Sequence, residues 1–234
     1  MKARIWELDA FRGLCVMGMI GVHFVYDIVY LYGLVDWQLP AAFLFLQQWG
    51  GVLFLLLSGI CVTLGSRSIR RGLIVFAAGL LVTAVTIVMH RFFSFGESVL
   101  IQFGVLHCLG ICMLLWPVFR KLPWWALVIA GGVLAALGFY VSGIRVPFPW
   151  LIPLGLRPEG FLAADYFPLL PNLGFFLLGA AIGRTAYKQK VSLLPDISHS
   201  IPIRVLSFFG RQSLLIYLLH QPILSGILFL LSAL

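Results

Sequence analysis

Three histidines, His23, His107 and His220, each lie inside a long apolar stretch, and a carboxylate, Asp27, follows the first of them by four residues. Imidazole exchanges protons near neutral pH, and a neighbouring carboxylate can orient it or stabilise its charge. Such a set can deprotonate an amine or hydroxyl, stabilise a tetrahedral intermediate, or relay protons. Arg12 precedes His23 with ten residues between them. A helix turns about 100° and rises 1.5 Å per residue, so Arg12 and His23 share one azimuth roughly 16 Å apart, with Asp27 one turn further on. An ionisable stripe on an apolar helix has to face the inside of a bundle. Arginine forks match phosphate oxygens, which makes Arg12, Arg67, Arg70 and Arg71 candidates for holding a phosphate-rich cofactor. For each of the last three, topology determination is the simpler reading. For Arg12 the competing role is an ion pair with Asp9, three residues back.

The elements that must position these side chains are membrane helices. Of 234 residues, 62% are hydrophobic and 10% charged, against about half and a quarter in soluble domains. An all-α polytopic bundle of about seven spans is expected, forming a single domain over residues 1–234. The predicted spans are Ala10–Tyr32, Ala41–Gly65, Gly72–Met89, Val99–Phe119, Trp124–Tyr140, Phe167–Ala186 and Leu206–Leu228. The net charge of +8 is scattered between apolar runs, which argues against nucleic acid as a partner. Alternate loops collect Lys2 and Arg4, Arg67, Arg70 and Arg71, Arg120 and Lys121, then Arg184, Lys188, Lys190 and Arg204 on one side. The other side receives only Arg91, Arg145 and Arg157. The positive-inside rule then puts the N-terminus in the cytoplasm and, after seven spans, the C-terminus outside.

Depth follows from position within each span. His23 lies about thirteen residues, or roughly 20 Å, from the cytoplasmic end of the first span. His107 lies about twelve residues from the cytoplasmic end of the fourth and His220 about fourteen from that of the seventh, on the same rise per residue. Gln47 and Gln48 come near the same level from the outer end of the second span. An unsatisfied polar group in hydrocarbon costs several kcal/mol, so equal depth favours mutual contact. Taken singly, each histidine is equally well explained as a hydrogen-bonded packing residue. The three with Asp27 favour a working site.

Other features carry less chemistry. Glu7 and Asp9 interrupt the positive region that a cleavable signal would need, and the first apolar run passes Tyr30 without a small-residue cleavage site, so the first helix is expected to stay in the membrane. Cys15, Cys61, Cys108 and Cys112 lie in apolar runs and read as free, packed thiols. Cys108 and Cys112 beside His107 invite a metal reading, but two buried thiols are the plainer account, and no metal is expected. The Pro-rich segment from Val141 to Tyr166 is expected to fold over the outer surface, and Gln189–Ile203 to be a connection on the cytoplasmic side. There is no internal repeat.

Four ordered motifs carry a resemblance. They are Leu8-Asp9-Ala10-Phe11-Arg12-Gly13 with His23, Phe103-Gly104-Val105-Leu106-His107, Asp165-Tyr166-Phe167-Pro168-Leu169-Leu170-Pro171, and Gly210-Arg211-Gln212-Ser213-Leu214-Leu215-Ile216-Tyr217-Leu218-Leu219-His220-Gln221-Pro222. Together they resemble the bacterial members of the heparan-alpha-glucosaminide N-acetyltransferase catalytic-domain family, over nearly the whole chain. The Arg12 to His23 spacing is also similar to the acyltransferase 3 family. The resemblance implies an acetyl (acyl) transfer from acyl-CoA, with acetyl-CoA as donor substrate, to an amino or hydroxyl group of an extracytoplasmic saccharide, in the bacterial inner membrane.

On that basis His23, Asp27 and His107 are the expected catalytic residues, with Arg12, Arg67, Arg70 and Arg71 at the phosphates. Gln47, Gln48, Asp165, Tyr166 and His220 are the expected acceptor contacts. Two departures stand out. No histidine lies between His23 and His90, where the animal relatives carry their catalytic one, and Asn172 stands where an aromatic is expected. A proton-coupled transporter and a haem-binding bundle are the alternatives from other classes, and both monomer and homo-oligomer remain open.

Overall fold

The computed structural model describes residues 4–93, 99–163, 165–195 and 197–232; Lys2, counted above toward topology, lies outside them. Among these residues the secondary structure is helical, with two isolated β-bridges and no strand. Eight α-helices follow in order: α1 (Trp6–Tyr26), α2 (Ala41–Leu64), α3 (Ser68–Phe93), α4 (Val105–Phe119), α5 (Trp124–Ser142), α6 (Leu169–Thr185), α7 (Ile201–Arg211) and α8 (Ser213–Ser232). A π turn, Asp27–Leu31, extends α1. Five helices are long and apolar enough to cross a membrane, and α4 and α6 are shorter apolar helices. Large apolar side chains such as Leu73, Leu80 and Leu81 on α3 or Ile129 and Val133 on α5 are exposed, as lipid-facing helix surfaces require. The chain is that of a multi-pass membrane protein.

Two of the seven expected spans are corrected. The seventh is interrupted at Gln212, whose backbone (φ −97°, ψ 15°) leaves the helical region between α7 and α8. The fourth begins at Val105 and not at Val99, because residues 100–104 are not helical. That non-helical backbone is satisfied by α3: Thr83 Oγ1 donates to the Ile101 carbonyl at 2.6 Å, and the Ile101 N–H donates to Thr86 Oγ1 at 3.2 Å. Non-helical backbone in an apolar setting survives only where protein groups replace water in this way.

The chain forms two compact units, Met1–Phe54 with Gln189–Leu234, and Leu55–Lys188, with the division inside α2. In the first unit α1 packs along α7 and, less extensively, against α8. The α1–α7 contact is close because two glycines meet: a Cβ on Gly13 would strike the Leu206 carbonyl, and one on Gly210 would strike the Asp9 carbonyl. The final glycine of the first motif and the first glycine of the last are therefore two halves of one interface, the small-residue packing that apolar helices use to approach backbone to backbone.

In the second unit α5 packs on α6 and α3 on α4, and Gly59 and Gly179 bring α2 and α6 together. Arg184 at the end of α6 donates to the carbonyls of Arg120 and Leu122 and lies 5.5 Å from the Trp116 ring, tying α6 to the turn after α4. The Pro-rich stretch after α5 is not without secondary structure. It contains a short 3₁₀ helix, Pro149–Leu154, whose Ile152 is buried.

Candidate active site

In the first unit α1 and α8 run in the same direction side by side, as three contacts in register establish. The His23 and His220 rings meet edge to face, centroids 4.9 Å apart. Gln221 Nε2 donates to Asp27 Oδ2 at 2.8 Å. The Tyr32 hydroxyl donates to the Ser225 carbonyl at 2.9 Å. His220 does not lie fourteen residues into one continuous span: α8 begins at Ser213, and His220 is in its second turn. Its meeting with His23 is nonetheless real, because α8 starts well along α1.

Both imidazoles are anchored to their own helices. His23 Nδ1 lies 2.9 Å from the Met19 carbonyl and His220 Nδ1 lies 2.5 Å from the Tyr217 carbonyl. A carbonyl only accepts, so each Nδ1 carries the proton and each Nε2 keeps the lone pair. His220 Nε2 is buried without a hydrogen-bond partner, as is Gln221 Oε1. Asp27 is 2% exposed and opens the π turn, a distortion that often accompanies functional sites. One sequence expectation changes here: Met19, not Asp27, orients His23, and Asp27 is bound to Gln221. Gln221 belongs to the last motif but had no assigned role, since its contact with Asp27 spans 194 residues. The edge-to-face contact of His23 and His220 also leaves no gap for a haem plane between the two rings.

The site in this unit can thus present a basic imidazole nitrogen, a buried carboxylate, and unpartnered buried acceptors on His220 and Gln221. Buried polar atoms without partners are costly, so these two mark where a donor group of a bound molecule would be stabilised. Arg12 is ion-paired with Asp9 at 3.7 Å, as its spacing foretold, and Arg4 approaches the same carboxylate at 3.9 Å. Gln47 and Gln48 are exposed on α2.

His107, Asp165 and Tyr166 gather in the second unit. His107, 3% exposed, accepts from the Gly104 N–H through Nδ1 at 3.2 Å, so its proton sits on Nε2, which faces Thr83 Oγ1 at 3.3 Å. Asp165 Oδ2 accepts from the Val105 N–H at 3.0 Å, capping the positive end of α4. Phe103 pairs with Tyr166 as a parallel bridge and accepts from the Phe167 N–H at 3.0 Å. Tyr166 donates to the Ile152 carbonyl at 2.8 Å, with the Arg157 guanidinium 5.5 Å from its ring. Burial pushes the Tyr166 phenol up to about 12, against smaller opposing effects of Arg157 and Arg145, so it stays a donor throughout the physiological range. Asn172 Nδ2 donates to the Pro168 carbonyl at 2.8 Å, giving the residue in place of the expected aromatic a backbone-holding job. Arg67, Arg70 and Arg71 are exposed at the turn between α2 and α3. Cys108 and Cys112 are free thiols, their sulfurs 4.0 Å apart. Among the described residues no three His, Cys, Asp or Glu side chains are grouped to hold a metal ion.

Against known proteins, the sequence model of the family described as "Heparan-alpha-glucosaminide N-acetyltransferase, catalytic" matches residues 4–222. No curated protein and no solved structure matches the chain. The match spans both units and ends at Pro222, just past the residue that binds Asp27.

Proposed function

Because the chain belongs to the heparan-alpha-glucosaminide N-acetyltransferase catalytic family, whose members are membrane acetyltransferases, we propose that it transfers an acetyl group from cytoplasmic acetyl-CoA to an amino or hydroxyl group of an extracytoplasmic sugar. The observation that carries this reading is the His23–His220 contact beside the Asp27–Gln221 hydrogen bond. His23 Nε2 is the general base. It removes the proton of the acceptor amine or hydroxyl as that group attacks the thioester carbonyl, and the resulting imidazolium is stabilised by Asp27, one turn away. The tetrahedral intermediate then collapses, the C–S bond breaks, and the coenzyme A thiolate takes the proton held on His23 Nε2, which restores the neutral base. Gln221 holds Asp27, and its free carbonyl oxygen accepts from the acceptor.

His107 carries a second, positioning part in this proposal. With both ring nitrogens held by Gly104 and Thr83, it fixes the non-helical segment before α4, while Asp165 and Tyr166 shape the acceptor side. Arg12, Arg67, Arg70 and Arg71 supply positive charge for the phosphates of the donor. Seven spans, a cytoplasmic N-terminus, an external C-terminus, one functional domain and residence in the inner membrane complete the reading. Membranes carrying the protein, incubated with acetyl-labelled acetyl-CoA and mixed extracytoplasmic glycans, should yield labelled glycan; no transfer to any acceptor above control membranes contradicts it. Acid-labile label on the protein that disappears in His23→Ala would identify an acetyl-histidine intermediate in place of direct transfer.

A further inference from the structure

Within the first unit a cavity of about 620 Å³ opens between the start of α1 and one side of α7, a size typical of small-molecule sites. Its walls include Arg4, Trp6 and Asp9 from the N-terminal stretch and Arg204, Ser207 and Arg211 from α7. Arg204, Ser207 and Arg211 recur at helical spacing and so fall on one face. The Gly13–Gly210 contact holds α7 close against α1. Three guanidiniums meet one carboxylate, and Asp9 is already engaged by Arg4 and Arg12. Among the described residues Arg204 and Arg211 have no carboxylate partner. The Trp6 indole N–H, on the same wall, is buried without a hydrogen-bond partner. Surface arginines that only set topology need not converge on a cavity; these do.

We propose that this cavity is a phosphate-ester site, with Arg204 and Arg211 as its principal forks, and that its occupant is the nucleotide end of the acyl donor. Guanidinium forks bind phosphate oxygens in pairs, and the donor's adenosine carries a 3′-phosphate and a 5′-diphosphate that need several such partners. Asp9 in the cavity wall and His23 in the candidate active site share one helix fourteen residues apart, about 21 Å at the helical rise. That separation is of the order of an extended phosphopantetheine arm, so a nucleotide held here brings its thioester toward His23. The assignment of this occupant rests on the acetyl-CoA reading; the phosphate chemistry of the cavity does not. An anionic phospholipid headgroup offers the same chemistry, since Ile201, Val205 and Phe208, exposed apolar residues of α7, line the same cavity beside the arginines and would suit the apolar part of a lipid.

The test uses the full-length protein in detergent, followed by thermal unfolding with adenosine 3′,5′-bisphosphate, free coenzyme A, phosphatidylglycerol or phosphatidylcholine. The nucleotide ligands should raise the unfolding midpoint. Arg204→Gln and Arg211→Gln should each weaken nucleotide affinity tenfold or more, and Arg204→Lys, which preserves charge and folding but not the fork, should weaken it less. Nucleotide binding that is unchanged in all three variants overturns the site. Stabilisation by phosphatidylglycerol alone, lost in the Gln variants, overturns the nucleotide as occupant and assigns a lipid headgroup. No stabilisation by any phosphate ligand overturns the proposal altogether. Nucleotide binding through these arginines without acetyl transfer would leave the site standing and remove the enzymatic reading. Transfer with arginine-independent binding would do the reverse.

Discussion

At the scale of single residues, the strongest division is between polar side chains whose bonding is complete and those left with capacity. His107 has both nitrogens engaged, and Asp165 and Tyr166 each bind backbone. His220 Nε2 and Gln221 Oε1 do not. Asp27→Asn keeps the shape of the Gln221 contact but removes the charge. A hydrogen bond to a charged group contributes about 1.5–3 kcal/mol, so acetyl transfer should fall roughly ten- to a hundredfold while the unfolding midpoint moves little. Steady-state transfer rates beside a melting curve check this.

Tyr166 gives a pH signature of its own. Its phenol titrates near 10 when unfolded and near 12 when folded, so the folded state holds the proton more tightly. That contribution to stability is present in full below pH 10 and is lost as pH rises toward 12. Tyr166→Phe should therefore be less stable by about 1 kcal/mol at neutral pH, and its stability should decline less steeply between pH 10 and 12. Parallel denaturation curves across that range read it out. The residue chemistry was visible in the sequence for His23, Asp27 and His220, because ionisable groups in apolar runs announce themselves. Gln221 and Thr83 were not, since a glutamine or threonine on a membrane helix looks the same whether it binds a distant partner or nothing.

At the scale of elements, hydropathy located the helices but not their interruptions. A window long enough to detect a span averages over a one-residue break such as Gln212, and the amphipathic run of α7 merges with the apolar run of α8. The residues before α4 failed for another reason. A short apolar run has no period that separates helix from extended chain, and the hydroxyls that decide it, Thr83 and Thr86, arrive from α3. The glycines of the two terminal motifs have a physical role that single-sequence reading left blank. Gly210→Ala should press its methyl into the Asp9 carbonyl and cost about 1–3 kcal/mol as an overpacking change, measurable as a lower unfolding midpoint. Gly18→Ala, where nothing lies within 4 Å of the added carbon, should be near neutral and serves as the control.

At the scale of the whole molecule, composition alone identified a multi-pass membrane protein, and charge asymmetry supplied an orientation that can be tested directly. Cysteine or reporter fusions at Lys121 and Lys188 should report the cytoplasmic side, and fusions at Trp150 and the C-terminus the outer side. The two compact units each carry part of the predicted chemistry: His23, Asp27 and His220 in the one, His107, Asp165 and Tyr166 in the other. His23 and His220 touch, although the count of depth for His220 ran across the break at Gln212. Depth says nothing of lateral neighbours, and a one-dimensional count has no means to supply them.

The central claim is that the α1–α8 histidine pair performs acetyl transfer. The most direct measurement is the rate of label transfer from acetyl-CoA to glycan by purified protein, wild type against His23→Ala and His23→Gln, with coenzyme A binding measured on the same samples. General-base catalysis contributes about 10²–10⁴-fold, so both variants should bind coenzyme A normally and lose transfer by at least a hundredfold. Wild-type rates in either variant would contradict the account.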